Sequence, residues 1–425
     1  MKFICRRSRL CGEVTIPGSK SHTIRAVAIA GLAEGESRIL APLHSYDTLA
    51  AVEAYRNLGA VIDLKPDIWH VIGTGGRLKA PDDVINVQNS GTSLRVGLGS
   101  CALLQEGMAV LTGDAQIRRR PAGPLAKSLN ELGASVRSTR DNGCAPFVVE
   151  GRLRGGQTSI EAVTSQYVTS LLINTPLSDG DTTVNVPVLN EQPYIQMTLD
   201  WLKWQGIRLE HDEMREFHIP GGQRYQTVNR RIPADFSSAT FFLGAGALGE
   251  NEVVLRELDM NDSQGDKAVV DYLRQMGAEI TVEKELIRVR AKDLQGVELD
   301  MNATPDALPM MAVVGCFARG TTTLANVPQA RIKETDRLAV MCQELSRMGA
   351  RVRELKDGLV IEESKLKGTE VHGHDDHRVV MALAVAGLAC EGETVIDSAE
   401  AVGVTFPTFL ESMTSLGASL TYQEE

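Results

Sequence analysis

No run of about 18 apolar residues occurs in the 425-residue chain, so no segment reads as a membrane-spanning helix. The opening Met1-Lys-Phe-Ile-Cys-Arg-Arg lacks an apolar stretch of signal-peptide length, and no signal peptide is expected. The seven cysteines (5, 11, 101, 144, 316, 342 and 390) are scattered, odd in number and form no CxxC pair. That excludes a zinc ribbon or a disulfide frame and points to reduced thiols in a cytoplasm. Positive charge is in deficit: the formal net charge is -11, so a surface dedicated to nucleic acid is not expected. Missing too are a Gly-x-Ser-x-Gly elbow, a catalytic-cysteine signature and a GxxxxGK[ST] phosphate loop. His377 stands beside Asp375 and Asp376, but no second His or Cys has ligand spacing, so no metal is expected.

What the chain does have is a repeat. A helix, then Leu/Met-Gly-Ala, then a strand recurs at Leu58-Gly59-Ala60, Leu132-Gly133-Ala134, Met276-Gly277-Ala278, Met348-Gly349-Ala350 and Leu416-Gly417-Ala418. A degenerate copy, Gln205-Gly206-Ile207, fills the remaining gap. The glycine is the residue expected after a last helical turn, where φ is often positive. Each unit reads as βαβαββ: a small-residue helix, a strand, a polar loop, an amphipathic helix, the Gly-Ala stop, and one or two strands. At this length two domains are expected, and six units divide into two sets of three. Pro17-Gly18 and the segment from Val228 to Pro233 read as the crossing points. The expected division is therefore residues 1–17 with 229–425, and residues 18–228 inserted between them. The strand near Cys11 to Ile16 would belong with the C-terminal half, and a ligand is expected in the cleft between the domains.

The charged motifs fall in loops that open helices, where unpaired N–H groups and a partial positive charge favour anions. Pro17-Gly-Ser-Lys-Ser-His-Thr-Ile-Arg25 places Lys20, Ser21 and Arg25 at one helix start. Capping accounts for the serines but not for the cations beside them. Asn89-Ser-Gly-Thr-Ser-Leu-Arg95 is a second small-residue turn, and Arg118-Arg-Arg-Pro121 sets three cations in a row. Three adjacent like charges repel one another, which calls for an anionic partner. Thr164-Ser-Gln-Tyr167 and Glu191-Gln-Pro-Tyr194 open two further helices. Arg331-Ile-Lys-Glu-Thr-Asp-Arg337 is the densest cluster, with Arg331, Lys333 and Arg337 favouring an anion around Glu334. Asp306 and Arg378 open two more helices. Asp235, in Asp235-Phe-Ser-Ser238, reads as a mere N-cap or as part of the site. This inventory of cations, two carboxylates and a lysine, with no nucleophile–base pair, suits acid–base chemistry on small, multiply anionic substrates.

Taken in chain order, these motifs resemble those of the enolpyruvyl transferases. The matches are PGSKSxxxR (Pro17–Arg25), NxGTxxR (Asn89–Arg95), RxRP (Arg118–Pro121), SQY (Ser165–Tyr167) and PYI (Pro193–Ile195). They continue with DxSSA (Asp235–Ala239), QGD (Gln264–Asp266), RIKETDR (Arg331–Arg337) and DHR (Asp376–Arg378), nearly the whole chain. KETDR and DHR point to the shikimate branch, and Ala115 stands where the UDP-N-acetylglucosamine branch usually has a cysteine. The RNA 3′-phosphate cyclases share a related repeat but fit neither the charge nor these motifs.

The resemblance implies two inside-out α/β domains, each of three βαβαββ repeats, joined by a two-strand hinge. It implies transfer of the enolpyruvyl group of phosphoenolpyruvate to the 5-hydroxyl of 3-phosphoshikimate by a monomer. Small-molecule substrates would be the only partners, with no cofactor, nucleic acid or membrane. Lys20, Asp306 and Glu334 would be the catalytic residues. Phosphoenolpyruvate would meet Lys20, Gly91, Arg120, Gln166, Arg337 and Arg378. The acceptor would meet Ser21, Arg25, Thr164, Ser165, Gln166, Glu191, Tyr194, Asp306, Gln329 and Lys333. The departures from the family pattern lie on the acceptor side: Glu191 and Thr164 replace serines of the phosphate site, and Gln329 replaces an asparagine. Either Glu191 points to solvent and 3-phosphoshikimate is the acceptor, or the acceptor is a hydroxy-carboxylate without that phosphate. A catalytically inactive anion-binding homologue is the non-enzyme alternative.

Overall fold

The repeated helix stops are visible in the backbone. In the computed structural model, which describes residues 1–424, Gly59, Gly133, Gly206, Gly277, Gly349 and Gly417 take φ between 71° and 107°. A Cβ is disfavoured in that left-handed region, so glycine ends each helix and turns the chain into the following segment. The degenerate copy at Gly206 behaves like the other five.

Six four-stranded sheets follow, all built alike. Glu298–Asp300, for example, lies parallel to Thr321–Ala325, which pairs antiparallel with Gly358–Glu362, with Arg351–Leu355 antiparallel on the far side. Two sheets recruit their parallel edge strand from far along the chain. Cys11–Thr15 lies beside Glu252–Arg256, and Asn229–Arg231 beside Glu34–Leu40. Lys2–Arg6 completes a third sheet between Glu393–Ile396 and Ser419–Gln423.

The chain divides into two compact units, Met1–Pro17 with the residues from Pro233 onward, and Gly18–Ile232. Each has its own hydrophobic core. The later boundary thus falls after Ile232, not after residue 228 as expected. Asn229, Arg230 and Arg231 register against Arg38, Ile39 and Leu40, and the Ile232 N–H donates to the Leu40 carbonyl at 2.8 Å. These backbone bonds tie the segment to the inserted unit.

Within each repeat the two helices differ as their sequences do. Lys20–Leu32, Gly91–Cys101 and Ser165–Asn174 are buried along most of their length, as are Phe236–Gly246, Leu308–Phe317 and His377–Ala389. Small residues let such helices touch. A Cβ built on Gly99 would lie 2.4 Å from Asn174 Nδ2 and 2.6 Å from Ser170 Oγ. The polar groups enclosed there are paired, the Ser100 hydroxyl with Asn174 Oδ1 at 2.8 Å and with the Tyr55 hydroxyl at 2.7 Å. The second helix of a repeat is amphipathic: Val269–Met276 buries Val269, Val270, Leu273 and Met276 and leaves its other face outside. Each such side chain contributes roughly 1.5–3 kcal/mol by burial. Five of the six buried helices begin at a Ser, Thr or Asp N-cap: Ser19, Ser90, Thr164, Asp235 and Asp376. Their polar starts carry several of the residues expected to bind substrate, Lys20, Gly91, Gln166 and Arg378 among them. Among the described residues no helix is long and apolar enough to cross a membrane.

Candidate active site

In the inserted unit, Lys20 opens the helix Lys20–Leu32, and its ammonium donates to Asp47 Oδ2 at 3.0 Å. Asp47 comes from the first turn of the next helix, Tyr46–Asn57, and is buried. Gly91 opens the helix Gly91–Cys101 with two guanidinium groups against its backbone. An added Cβ would meet Arg95 NH1 at 2.5 Å and Arg120 NH2 at 2.6 Å. Only glycine leaves that approach open. The loop carrying Arg120 is clamped from two sides, since Arg95 NH2 and the Tyr167 hydroxyl each donate to the Pro121 carbonyl at 2.8 Å. Of the three consecutive arginines, Arg120 is buried, Arg119 is exposed and Arg118 donates to the Gly113 carbonyl. Gln166 joins this group: its amide Nε2 donates to Thr92 Oγ1 at 3.1 Å, while its buried Oε1 makes no hydrogen bond.

Arg25, from the second turn of its helix, is enclosed. Its Nε donates to Thr198 Oγ1 at 3.0 Å, NH1 to the Ser21 carbonyl at 2.9 Å, and NH2 to Thr169 Oγ1 and the Tyr194 carbonyl at 3.3 and 2.9 Å. Burial lowers its pKa to about 10, with Tyr194 acting the other way, so it remains a cation at neutral pH. Arg25 therefore draws Ser21 and Tyr194 together through their backbones.

Glu191 does not point to solvent, which corrects that expectation. It is 1% exposed, and its Oε2 accepts hydrogen bonds from the Ser165 N–H at 2.9 Å, the Ser165 hydroxyl at 2.7 Å and the Thr164 hydroxyl at 3.2 Å. The reason is local: Glu191 takes a left-handed backbone (φ 57°, ψ 41°) just ahead of the helix Gln192–Trp204. From there its side chain reaches the start of the helix Ser165–Asn174.

In the other unit the centre is Arg337, the first residue of the helix Arg337–Arg347 and fully buried. Its guanidinium donates to Asp376 Oδ2 (2.9 Å) and Oδ1 (3.2 Å), to Asp306 Oδ1 (2.8 Å) and to Glu334 Oε2 (2.7 Å). Asp306 is shared further, with Arg378 NH2 at 3.0 Å from Oδ2 and Lys333 Nζ at 3.9 Å from Oδ1. Asp376 also accepts from the Thr335 hydroxyl at 3.1 Å and from the Arg378 N–H at 2.9 Å, capping the helix His377–Ala389. Gln329 Nε2 donates to the Asn302 carbonyl at 2.8 Å, and its buried Oε1 makes no hydrogen bond.

Charges this close perturb one another. Burial would lower the pKa of Arg337, but Asp376, Glu334 and Asp306 together raise it well above its ordinary value. Burial pushes Asp376 upward, and the Arg337 guanidinium with its hydrogen bonds outweighs that and holds the carboxyl below the usual range. Asp266 goes the other way. Burial and the charge of Asp306 raise it from 3.8 to about 6, against the opposing effects of Arg378 and the Ser237 hydroxyl, which donates to it.

Two groupings thus emerge, each within its own unit: Lys20, Ser21, Arg25, Gly91, Arg120, Thr164, Ser165, Gln166, Glu191 and Tyr194 in the inserted one, and Asp306, Gln329, Lys333, Glu334, Arg337 and Arg378 in the other. Arg331, expected among the anion-binding cations, is turned to structural use. It pairs with Asp336 and Glu354 at 2.8 Å each and donates to the Leu355 and Lys356 carbonyls. Three carboxylates of this chemistry were not singled out from sequence. Asp376 and Asp266 were visible within the DHR and QGD motifs. Asp47 carries no local signal, because only packing brings it to Lys20.

The family model for EPSP synthase (3-phosphoshikimate 1-carboxyvinyltransferase) matches residues 4–413. A 3-phosphoshikimate 1-carboxyvinyltransferase of Acetivibrio thermocellus is 57% identical over 415 residues, covering 98% of each chain. The same-named protein of Ruminiclostridium cellulolyticum is 54% identical over 415 residues, again 98% of each. Among solved structures, an EPSP synthase from Acinetobacter baumannii superposes with a TM-score of 0.84 at 29% identity and covers 100% of both chains.

Proposed function

The chain belongs to the EPSP synthase family, and from that membership we propose how its residues share the reaction it catalyses. That reaction moves the enolpyruvyl group of phosphoenolpyruvate to the 5-hydroxyl of 3-phosphoshikimate and releases phosphate. A proton adds to the methylene carbon, which leaves C2 open to attack. The acceptor hydroxyl oxygen bonds to C2 and gives up its proton. The C2–O bond to phosphate then breaks with its electron pair going to the phosphate oxygen, which takes a proton in place of the one the hydroxyl gave up, and a methyl proton departs to restore the double bond. Every proton taken up is returned, so the chemistry needs acid–base groups and no cofactor.

Asp306 is the proposed acceptor of the hydroxyl proton, and Glu334 and Lys20 are the proposed donors and acceptors at the enolpyruvyl carbon and leaving oxygen. Lys20, the Gly91 N–H, Arg120, Gln166, Arg337 and Arg378 would hold the two anionic groups of phosphoenolpyruvate. Ser21, Arg25, Thr164, Ser165, Gln166, Tyr194, Gln329 and Lys333 would hold the acceptor. Glu191 lies among this last group. The observation that carries the reading is the single buried guanidinium of Arg337, which binds Asp306 and Glu334 at once at 2.8 and 2.7 Å. Two carboxylates from separate loops are thereby set in one array beside Lys333 and Arg378. Preorganised charge of this kind is the usual source of rate enhancement in such sites.

The test is direct. Purified protein with phosphoenolpyruvate and 3-phosphoshikimate should release phosphate in equal amount to a product heavier than the acceptor by the enolpyruvyl group, read by mass spectrometry. Folded protein that releases no phosphate from this pair would overturn the reading.

A further inference from the structure

The Glu191 carboxylate is held by donors suited to any oxyanion. The Ser165 N–H and the Ser165 and Thr164 hydroxyls converge on one of its oxygens, at 2.9, 2.7 and 3.2 Å. They stand at the positive end of the ten-residue helix Ser165–Asn174. This helix does not need Glu191 as its cap, because Thr164 Oγ already accepts from the Gln166 N–H at 3.5 Å. Nor does the Glu191 side chain cap its own helix, Gln192–Trp204. It is held in place through a left-handed φ of 57°, a conformation that glutamate adopts uncommonly.

We propose that Glu191 is a built-in competitor for the phosphate of the acceptor: the chain's own carboxylate fills the oxyanion pocket of Thr164 and Ser165, and a phosphorylated acceptor binds there only after that carboxylate leaves. The proposal rests on the reaction assigned above, since 3-phosphoshikimate is the ligand that brings the phosphate. Two like charges cannot share one set of donors in a buried site without strong repulsion. The backbone supplies a route out. Proline at 193 restricts Gln192, so the freedom to rotate lies at Glu191 itself, where leaving the left-handed region swings the side chain away. Apparent affinity for the phosphorylated ligand is then reduced by the fraction of time Glu191 is withdrawn. Glu191 thereby sets how strongly the protein prefers a phosphorylated acceptor over an unphosphorylated one.

Calorimetric titration of the wild-type chain, Glu191→Ala and Glu191→Gln with inorganic phosphate, 3-phosphoshikimate and shikimate tests this. If the withdrawn state is populated at about 1–10%, both variants should bind phosphate and 3-phosphoshikimate about tenfold to a hundredfold more tightly. Shikimate, which brings no phosphate, should bind as before. The glutamine variant keeps size but brings no negative charge against the phosphate, so it stands in should the alanine variant fail to fold. Unchanged or weaker binding of phosphate and 3-phosphoshikimate by the folded variants overturns the proposal. Wild-type turnover with phosphoenolpyruvate, measured alongside, separates the two claims. Normal turnover with unchanged binding sinks the competitor alone. Absent turnover with tightened phosphate binding sinks the assigned reaction and leaves the competitor standing.

Discussion

Asp376→Asn is the substitution that most sharply probes the array around Arg337. Asp376 and Arg337 are both fully buried and meet through two hydrogen bonds of 2.9 and 3.2 Å. At about 3 Å and an effective dielectric near 20, their gross attraction is about 5 kcal/mol. An asparagine can still cap the helix His377–Ala389, but its NH₂ would face a guanidinium N–H, donor against donor. Removing one partner from a buried ion network costs roughly 3–5 kcal/mol. Asp376→Ala should lose about 1 kcal/mol more, the value of the cap. For a unit of this size that corresponds to a melting temperature lowered by roughly 10 °C or more. Differential scanning calorimetry suits the measurement, because it can resolve separate transitions for the two cores. The pH dependence supplies the sign. The folded pKa of Asp376 is depressed, so its contribution is present above the ordinary carboxylate pKa and is lost as pH falls through the folded value. The gap between wild type and Asp376→Asn should therefore be full near neutrality and close in acid. An asparagine variant within about 0.5 kcal/mol of wild type, the range of an ordinary surface substitution, would refute the claim that this carboxylate holds the array.

Three further outcomes are expected. Glu334→Gln and Asp306→Asn should each lower kcat by roughly 10²-fold or more; near-wild-type turnover in either, on protein shown to be folded, removes that residue from proton transfer. Gly91→Ala should raise the KM for phosphoenolpyruvate, because its Cβ would lie 2.6 Å from Arg120 NH2 and push the guanidinium aside; steady-state kinetics with an unchanged KM would show that Arg120 does not serve that ligand. Asp266 has a folded pKa raised from 3.8 to about 6, so the folded state holds the proton more tightly and stability falls as pH rises through that window. Asp266→Asn should flatten the melting-temperature profile there, and an unaltered slope would place the titration on another group.

Much of the fold was legible because its signals are local. Six Gly stops at regular spacing, each needing positive φ, marked the repeats, and small-residue helices alternating with amphipathic ones marked which would be buried. Helix-opening motifs rich in Ser, Lys and Arg identified most of the residues that gather in each unit. Those features depend on backbone propensity and periodicity, which neighbouring residues dictate. Partner choice does not. Arg331 and Arg337 lie in one seven-residue motif and carry the same charge, yet Arg331 pairs with Asp336 and Glu354 while Arg337 gathers Asp306, Glu334 and Asp376. Lys20 meets Asp47 from 27 residues away. Glu191 turns inward, and the boundary moves to Ile232 because Asn229–Arg231 finds a free edge beside Glu34–Leu40. Apart from the local partners Asp336 and Glu334, each of these was decided by sheet register and helix packing, which bring groups distant in sequence into hydrogen-bond reach, where a buried charge takes the partner geometry presents.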